Sequence, residues 1–302
     1  MGMNKSDREA LLSQWIKPSS DSEQGQQDRA ERMVRDAITA HPAFKGTSLA
    51  VYPKGSYPNN TNVRQDSDVD IVVECTECIY YDSGSDVAPP VKMSAYTGSW
   101  TPTTWRTEIQ KAVVNKLGSA GVDASGNIAI KIEAVAGSRP SVDVVPSFTF
   151  RRYWSADGTW YSVGTKVFKK DGGDIINWPQ QQLDNGRTKN TATNQRYKNY
   201  VRALKNAENV LCASGTISDL PSYLMECLVF NVDDATLRSG GLDDGFRAAL
   251  VALWEGLEDN GGHGKWLEPN KLKWLFRSSQ PWTVAGARRL ALKTWQYLGY
   301  GG

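Results

Sequence analysis

The chain has 302 residues, and its 35 Lys and Arg residues nearly balance its 33 Asp and Glu residues, for a formal net charge of +2. Because 40% of the residues are hydrophobic and the net charge is small, the composition excludes an intrinsically disordered chain. The sequence contains no apolar run of about 18 residues, which excludes a membrane-spanning helix, and the near-neutral total argues against a uniformly basic nucleic-acid binder. The polar first residues are unlike a signal peptide, so we expect a cytoplasmic protein.

The first part of the chain combines predicted helices with predicted strands. Ser20 and Glu23 form a capping box ahead of a long amphipathic helix over residues 21–40, which His41-Pro42 ends. Hydrophobic periodicity and turn-forming residues predict the other elements of this part. They are strands at 48–52, 68–73, 128–132 and 141–145, a helix at 105–117 that Gly118 closes, and a hairpin over 154–163 that turns at Asp157-Gly158.

The second part of the chain is predicted to be entirely helical. Apolar residues recur at helical spacing in segments at 196–211, 221–230, 246–257 and 285–298. We therefore predict an α+β fold with two domains, of which residues 1–185 contain the sheet and the N-terminal helices and residues 186–302 form a helical lobe. The polar stretch Asn185–Asn194 is the predicted boundary between them.

The cysteines offer one partial metal motif, the CxxC pair of Cys75 and Cys78. A structural zinc site needs two more ligands, and the remaining Cys212, Cys227 and two isolated histidines provide no second pair at the usual spacing. Free thiols in a reducing compartment are therefore the favoured interpretation, with zinc as the alternative.

Two aspartates open a predicted strand. Asp68 and Asp70 are two residues apart, so the period of a strand puts both carboxylates on the same face. Because like charges repel, this pair favours a cation between the carboxylates, and a hard divalent cation with phosphate oxygens meets that need. Upstream, Gly55 lets backbone N–H groups approach a phosphate closely, and Ser56 adds a hydroxyl donor.

A third acid, Asp143, lies within the apolar predicted strand 141–145, where a charge without a partner would be costly. Together with Asp68, Asp70 and the Gly-Ser pair, it predicts a two-metal site for phosphoryl transfer. For the Asp-x-Asp pair taken alone, solvent-facing acids on a half-exposed strand are the alternative.

A basic stretch in the second part contrasts with an acidic one in the first. Residues 185–206 contain six Lys and Arg residues and no acid, whereas residues 65–91 contain seven acids and no Lys or Arg. Lys198 and Arg202 are four residues apart and share one face of the predicted helix. Acids for Mg²⁺ and bases for the β- and γ-phosphates together predict a nucleoside triphosphate site. A solvated basic helix face is the alternative.

These motifs carry a family resemblance. The segment GSYPNNTNVRQDSDVDIVV, which begins at Gly55, resembles the Gly-Ser and Asp-x-Asp signature of the nucleotidyltransferase superfamily. Together with NQRYKNYVRALKNAEN at 194–209 and LPSYLMECLVFNV at 220–232, it resembles more closely the bacterial CD-NTases, relatives of cyclic GMP–AMP synthase, and among them the E-type clade. The resemblance covers most of the chain. It implies a bilobed, polymerase beta-like nucleotidyltransferase fold with a mixed sheet, a long bracing N-terminal helix and a C-terminal helical lobe.

The resemblance also implies roles for individual residues. The implied catalytic residues, which would hold two Mg²⁺ ions or Mn²⁺ in their place, are Asp68, Asp70 and Asp143. The implied nucleotide-binding residues are Gly55, Ser56, Lys198, Arg202, Ser222 and Tyr223. Among these, Lys198 would bind the triphosphate, Ser222 would contact a phosphate, and Tyr223 would stack on a base or border the ribose.

The implied activity is synthesis of a cyclic di- or oligonucleotide from ATP, UTP, GTP or CTP, with release of pyrophosphate. The product would be a second messenger that a downstream effector binds in anti-phage (CBASS) defence. We expect no membrane contact and no long nucleic-acid footprint. In some CD-NTase systems a ubiquitin-like machinery conjugates the C-terminal glycine, which makes Gly302 a candidate, although an ordinary frayed end is the favoured interpretation.

Two other classes of function stay open at this point. One is a different nucleotidyltransferase on the same fold, which would tail tRNA or nucleotidylate an antibiotic or a protein. The other is a catalytically inactive binding module, which the intact set of three acids argues against.

Overall fold

A computed structural model describes residues 3–63, 68–88 and 90–301. Contacts divide these residues into two compact units, neither of which is continuous in sequence. The sheet unit consists of residues 20–58 and the described part of 68–179, and the helical unit consists of residues 3–19, 59–63 and 180–301. Gly302, the candidate for conjugation, lies outside the described residues.

Helices and strands are labelled in chain order. The helices are α1 (Lys5–Trp15), α2 (Asp21–Ala40), α3 (Ser56–Asn59), α4 (Pro102–Leu117), α5 (Pro179–Ala192), α6 (Arg196–Ala213), α7 (Ser222–Phe230), α8 (Asp234–Arg238), α9 (Leu242–Gly256) and α10 (Val284–Leu298). The strands are β1 (Leu49–Lys54), β2 (Val69–Ser83), β3 (Val122–Asp123), β4 (Ile130–Ile132), β5 (Val142–Tyr153), β6 (Tyr161–Phe168) and β7 (Asp174–Asn177).

The sheet is mixed, as predicted. Its strands follow the order β1-β2-β5-β4-β3, and β6 pairs with both β5 and β7. The central pair, β2 and β5, is parallel, whereas the other pairs are antiparallel. The parallel pair joins two strands that are far apart in the sequence, and it positions the predicted acids.

Helices α2 and α4 pack on one face of this sheet, and an apolar core lies between the helices and the sheet. The predicted capping box starts α2, because the Glu23 N–H donates to Ser20 Oγ over 3.3 Å and the Ser20 N–H donates to Glu23 Oε2 over 2.7 Å. Apolar residues of α2 and α4 pack with Val69, Ile71 and Val73 of β2 in a single cluster. The odd-numbered positions of β2 therefore point into the core, and Asp70 points to the other face.

Two strands, β2 and β5, are longer than the sequence predicts, and two further strands, β3 and β7, are unpredicted. The CxxC pair lies inside β2, where the register shifts between Cys75 and Ile79. Both thiols are buried, and burial raises the pKa of each, to about 11 for Cys75. The Thr and Cys residues interrupt the apolar alternation of β2, which explains why its second half was not predicted. The strand β7 pairs only with β6 and has no fully buried residue.

The helical unit has its own apolar core. Val201, Leu204 and other residues of α6 are buried there with residues of α7, α9 and α10. Helix α1 contributes Leu12 and Trp15 to the same core, so it belongs to this unit, whereas the domain prediction grouped it with the sheet. In the described part of the chain, no helix combines the length and the apolarity that crossing a membrane requires.

Helix α5 runs through the stretch that the sequence suggested as a domain boundary. Its buried residues are Gly186 and Asn190, so it has no apolar stripe that could reveal a helix. Polar contacts hold it instead: Asn185 donates to the Pro269 carbonyl over 2.9 Å, and Lys189 forms an ion pair with Asp234. The polar composition of residues 185–194 thus reflects a helix with polar contacts and not a linker.

Candidate active site

Two of the predicted metal-binding aspartates lie side by side on neighbouring strands. In the parallel register of β2 and β5, Asp70 is directly opposite Asp143. On the outer sides of this pair, Lys54 of β1 is opposite Asp70, and Lys131 of β4 is opposite Asp143. Because directly paired residues point to the same face, the four side chains form a Lys–Asp–Asp–Lys row across the sheet. The Lys54 Nζ lies 4.0 Å from Asp70 Oδ1.

The third predicted acid adjoins this row. Asp68 is exposed and immediately precedes β2, and its carboxylate accepts a hydrogen bond from the hydroxyl of Ser141, which immediately precedes β5. The Val69 N–H also donates to the Ser141 carbonyl, over 2.9 Å. The start of the parallel strand pair therefore brings together all three acids that the sequence predicted.

The protein opposes ionisation of the two acids within the row. Burial raises the pKa of Asp70, an effect that Lys54 partly offsets and the charge of Asp68 increases. Burial also raises the pKa of Asp143, and repulsion by Asp68 and Asp70 raises it further. A divalent cation relieves such repulsion, and carboxylate oxygens are the ligands that Mg²⁺ and Mn²⁺ prefer. The residues present therefore fit a divalent metal site.

The Gly-Ser pair lies next to this cluster. Gly55 has φ +76°, a left-handed conformation, and a Cβ at this position would lie 2.9 Å from Asp70 Oδ2. Both the backbone conformation and the close approach of Asp70 thus require glycine here. Ser56, the next residue, starts α3.

Another group of potential metal ligands lies in the helical unit, where ligand atoms of Glu208, Cys212 and Asp219 are within 4.8 Å of one another. Hydrogen bonds within the protein explain why these side chains lie close together. Glu208 Oε1 accepts the Leu220 N–H over 3.1 Å, and the Cys212 Sγ lies 4.0 Å from Asp219 Oδ1. The contacts are typical of a loop that is anchored to a helix, and we do not assign a metal to this group.

Most cations of the basic stretch already have partners within the protein. Four of its six cations have partners within the helical unit: Lys189 pairs with Asp234, Arg196 donates to Tyr200 and to the Gly241 carbonyl, Arg202 donates to backbone carbonyls, and Lys205 pairs with Glu226. The remaining two, Arg187 and Lys198, have no hydrogen-bond or ion-pair partner for their side chains among the described residues. The local charge excess in the sequence therefore overstates the cationic surface.

Arg187 and Lys198 belong to consecutive helices, α5 and α6, that contact each other at a few positions. A Cβ on Gly186 of α5 would lie 3.7 Å from the Tyr197 ring of α6, and the Lys198 N–H donates to Asn190 Oδ1 over 3.0 Å. Burial lowers the pKa of Lys198, and the nearby charge of Arg187 lowers it further. Two neighbouring cations whose side chains have no ion-pair partner among the described residues are suited to bind a polyanion such as a triphosphate.

Arg202, which was predicted to bind the nucleotide, is buried and bonded to the protein. Arg202 is 5% exposed, and its guanidinium donates to the carbonyls of Ile16 and Asn60 over 2.7 and 2.6 Å and to Asn199 Oδ1 over 2.7 Å. These acceptors belong to three separate segments of the helical unit. Arg202 therefore holds the fold together, although it shares a helical face with Lys198.

The two predicted contacts on α7 have different surroundings. Ser222 starts the helix and is exposed, so its hydroxyl is accessible to a ligand. Tyr223 is half-buried against the core of the helical unit, packs edge-on to Trp282 with 6.3 Å between ring centroids, and its hydroxyl donates to Glu268 over 3.3 Å. Its hydroxyl is thus engaged with protein, which leaves only part of the ring for a ligand.

Comparison with known proteins finds relatives that match this chain from end to end. A family model for the cGAS/DncV-like nucleotidyltransferase C-terminal helical domain matches residues 184–299. The cyclic dipyrimidine nucleotide synthase CdnE of Legionella pneumophila is 34% identical over 97% of this chain and 98% of its own length. The chain belongs to the CD-NTase family. A cyclic dipurine nucleotide synthase of Elizabethkingia meningoseptica is 32% identical over 97% of this chain and 98% of its own length.

A solved CD-NTase structure has the same fold. The Elizabethkingia meningoseptica CdnE cyclic dinucleotide synthase, solved with GTP and Apcpp, has a TM-score of 0.80 and 30% sequence identity, and the match covers 97% of this chain and 99% of that one. This match confirms the predicted nucleotidyltransferase fold and the predicted placement among the E-type CD-NTases.

Three residues that adjoin predicted site residues within their own units were not themselves predicted. Lys54 and Lys131 flank the aspartates through strand register, and Arg187 adjoins Lys198 through helix packing. Lys54 directly precedes the Gly-Ser pair, which was an available signal. The sequence gives no comparable signal for the other two residues. Lys131 is one residue of an alternating strand, and Arg187 is one of six cations in the basic stretch.

Proposed function

We propose that this CD-NTase is a metal-dependent cyclic di- or oligonucleotide synthase that joins nucleoside triphosphates and releases pyrophosphate. The observation that carries the proposal is the registered pair of Asp70 and Asp143, with Asp68 adjoining it. End-to-end similarity to enzymes named as cyclic nucleotide synthases supports the same reaction class.

The three aspartates would hold two Mg²⁺ ions, which supply positive charge to the phosphate oxygens and to the attacking 3′-hydroxyl. Joining requires that this oxygen form a bond to the α-phosphorus while the bond from the α-phosphorus to pyrophosphate breaks. Lys198 and Arg187 would hold the β- and γ-phosphates, and so neutralise the charge of the departing pyrophosphate. The Ser222 hydroxyl and the Gly55-Ser56 pair would donate hydrogen bonds to phosphate oxygens.

The substrates would be drawn from ATP, UTP, GTP and CTP. The two relatives compared above are named for dipyrimidine and dipurine products, and their identities to this chain are nearly equal, at 34% and 32%. Overall similarity therefore favours neither class of base, and the choice is left to experiment. We further propose that the product is a second messenger for an effector in anti-phage defence.

The test is incubation of the purified chain with all four labelled nucleoside triphosphates and Mg²⁺, with omission of each nucleotide in turn. We expect a phosphatase-resistant product whose mass and base composition identify the ring. Linear products alone would contradict the proposal and would favour a tailing enzyme.

Replacing Asp68 and Asp70 by Ala should lower pyrophosphate release by at least about a thousandfold, because the metal ligands are lost. The control is the variant Asp123→Ala/Asp171→Ala, which removes two exposed acids from the same unit and should keep wild-type turnover. Wild-type turnover in the Asp68→Ala/Asp70→Ala variant would refute the metal assignment.

A further inference from the structure

Two oppositely charged side chains are buried together in the helical unit. Lys205 of α6 and Glu226 of α7 are each 3% exposed, and their Nζ and Oε1 atoms are 3.1 Å apart. Thr61 donates its hydroxyl to the same Oε1 over 2.6 Å, and Gln182 of α5 donates to Oε2 over 3.2 Å. The pair therefore joins α5, α6, α7 and the segment 59–63.

Stability alone does not explain such a pair. Removing two charges from water costs about as much as their attraction returns, and apolar side chains of similar volume often serve equally well or better. What a buried pair with fixed hydrogen bonds does provide is a single register between the elements that carry it. The Lys205–Glu226 pair allows one offset between α6 and α7, since a slip of either helix would leave a buried charge without its partner.

This register bears on residues that we assign to phosphate binding. Lys198 precedes Lys205 by seven residues, or about two helical turns, and Ser222 precedes Glu226 by one turn of about four residues, so each lies on the same face as its charged successor. The charge of Glu226 also acts on Lys198, whose pKa it raises against the effect of burial. The pair thus lies within electrostatic range of Lys198.

We propose that Lys205 and Glu226 are positioning residues, whose ion pair sets the offset of α6 against α7 and so fixes where Lys198 and Ser222 present their donors to the triphosphate. This inference rests on the proposed function. It assigns no contact with the nucleotide to Lys205 or Glu226, which are both buried.

The test separates positioning from stability by means of a neutral pair. Lys205→Met alone should lower the thermal unfolding midpoint, because it leaves the Glu226 charge buried without a cation. The double variant Lys205→Met/Glu226→Gln removes both charges and keeps an acceptor for Thr61, so it should recover most of that loss. We nevertheless expect the double variant to raise the KM for nucleoside triphosphate by about tenfold or more, with a much smaller change in kcat.

Two further variants make the result decisive. Lys205→Arg keeps the ion pair and should restore the KM to within about twofold of the wild type. Arg8→Met breaks a second ion pair of the same unit, that of the partly buried Arg8 with the buried Asp243, so it should lower the unfolding midpoint without raising the KM. If the double variant does not recover stability, Glu226→Gln alone is measured, and the same rise in KM is expected.

If the folded double variant has the wild-type KM, or if Glu226→Gln has it when measured instead, the positioning role is wrong and the proposed function stays intact. A rise in KM in Arg8→Met equal to that in the double variant would also overturn it, since loss of stability would then be the cause. Absence of nucleotide turnover in the wild type would overturn the proposed function, and this inference with it.

Discussion

Asp70 and Asp143 face each other across β2 and β5, and burial raises the pKa of both carboxyl groups. A carboxyl whose pKa is higher in the folded than in the unfolded protein takes up its proton more readily when folded. It therefore favours the fold at low pH, and this contribution is lost as the pH rises through the folded pKa. At a pH above the folded pKa, without metal, repulsion between the ionised acids and their burial oppose folding.

Replacement of Asp70 by Asn should therefore raise the thermal unfolding midpoint at pH 7 in the presence of a chelator. Saturating Mg²⁺ should raise the midpoint of the wild type by about 5 °C, because ligand binding stabilises the folded state, and should leave Asp70→Asn nearly unchanged. The measurement is thermal unfolding with and without Mg²⁺ over a series of pH values, and without Mg²⁺ the difference between the proteins should grow as the pH rises through the folded pKa.

Asp123→Asn is the matched control, because hydrogen bonds from Ser125 lower the pKa of Asp123, the opposite direction. This variant should show no gain in stability and a wild-type response to Mg²⁺. A lower midpoint for Asp70→Asn together with an undiminished Mg²⁺ response would show that Asp70 is not a metal ligand.

The residue types and the strand period were enough to predict the acids but not the cations around them. A period of two shows that Asp68 and Asp70 share a face, whatever the neighbouring strands are. The positions of Lys54 and Lys131 depend on strand register, which is set by pairing between segments far apart in the sequence.

At the level of single elements, α6 shows why the number of charged residues in a segment is a poor predictor of the charge on its surface. Its basic residues Arg196, Arg202 and Lys205 all have acceptors in the helical unit, some of them carbonyls that carry no formal charge. The sequence between residues 185 and 206 contains no acid that would reveal these contacts. For the same reason α5 was missed, since its partners, such as Pro269 and Asp234, follow much later in the chain.

The side-chain contacts of α5 and α6 predict different effects for three cations. Lys198→Ala and Arg187→Ala should each raise the KM for nucleoside triphosphate by about tenfold to a hundredfold, because each would remove a proposed charge-assisted hydrogen bond to phosphate. The inhibition constant of nucleoside monophosphates that compete with the substrate should change little. Arg202→Met should instead lower the unfolding midpoint, because it removes a buried guanidinium that donates two partly buried hydrogen bonds to backbone carbonyls.

Arg289→Ala is the control for the loss of an arginine, since Arg289 is on α10 and donates to the Thr216 carbonyl. Its KM should match the wild type. An unchanged KM in Arg187→Ala, with a raised KM in Lys198→Ala, would remove Arg187 from the proposed site and retain Lys198.

Across the whole molecule, the net charge of +2 argues against a large basic surface for a polymer, and several cations of the described residues are paired internally. Single-stranded RNA at roughly 10 μM, a concentration at which non-specific binders begin to associate, should therefore leave nucleotide turnover unchanged. Tripolyphosphate, at a concentration that supplies as many phosphate groups as the RNA, should inhibit, because it resembles the part of the substrate that we propose Lys198 and Arg187 bind. Inhibition by RNA that declines steeply with salt would instead indicate a nucleic-acid footprint.

The division into units could be predicted only in part. The change from mixed to purely helical elements near residue 180 is visible in the hydrophobic periods of the sequence. The membership of residues 3–19 and 59–63 in the helical unit is not, because apolar residues such as Leu12 show that a face is buried but not what it packs against.

The parallel pairing of β2 with β5 also has a consequence for biosynthesis. It joins positions 73 residues apart, as in the contact between Asp68 and Ser141. A growing polypeptide therefore cannot bring Asp70 next to Asp143 until β5 has left the ribosome, and closing so long a loop is slower than forming local helices. Maturation of the acid cluster thus depends on a late folding step, and a prematurely terminated chain that ends before β5 would lack it.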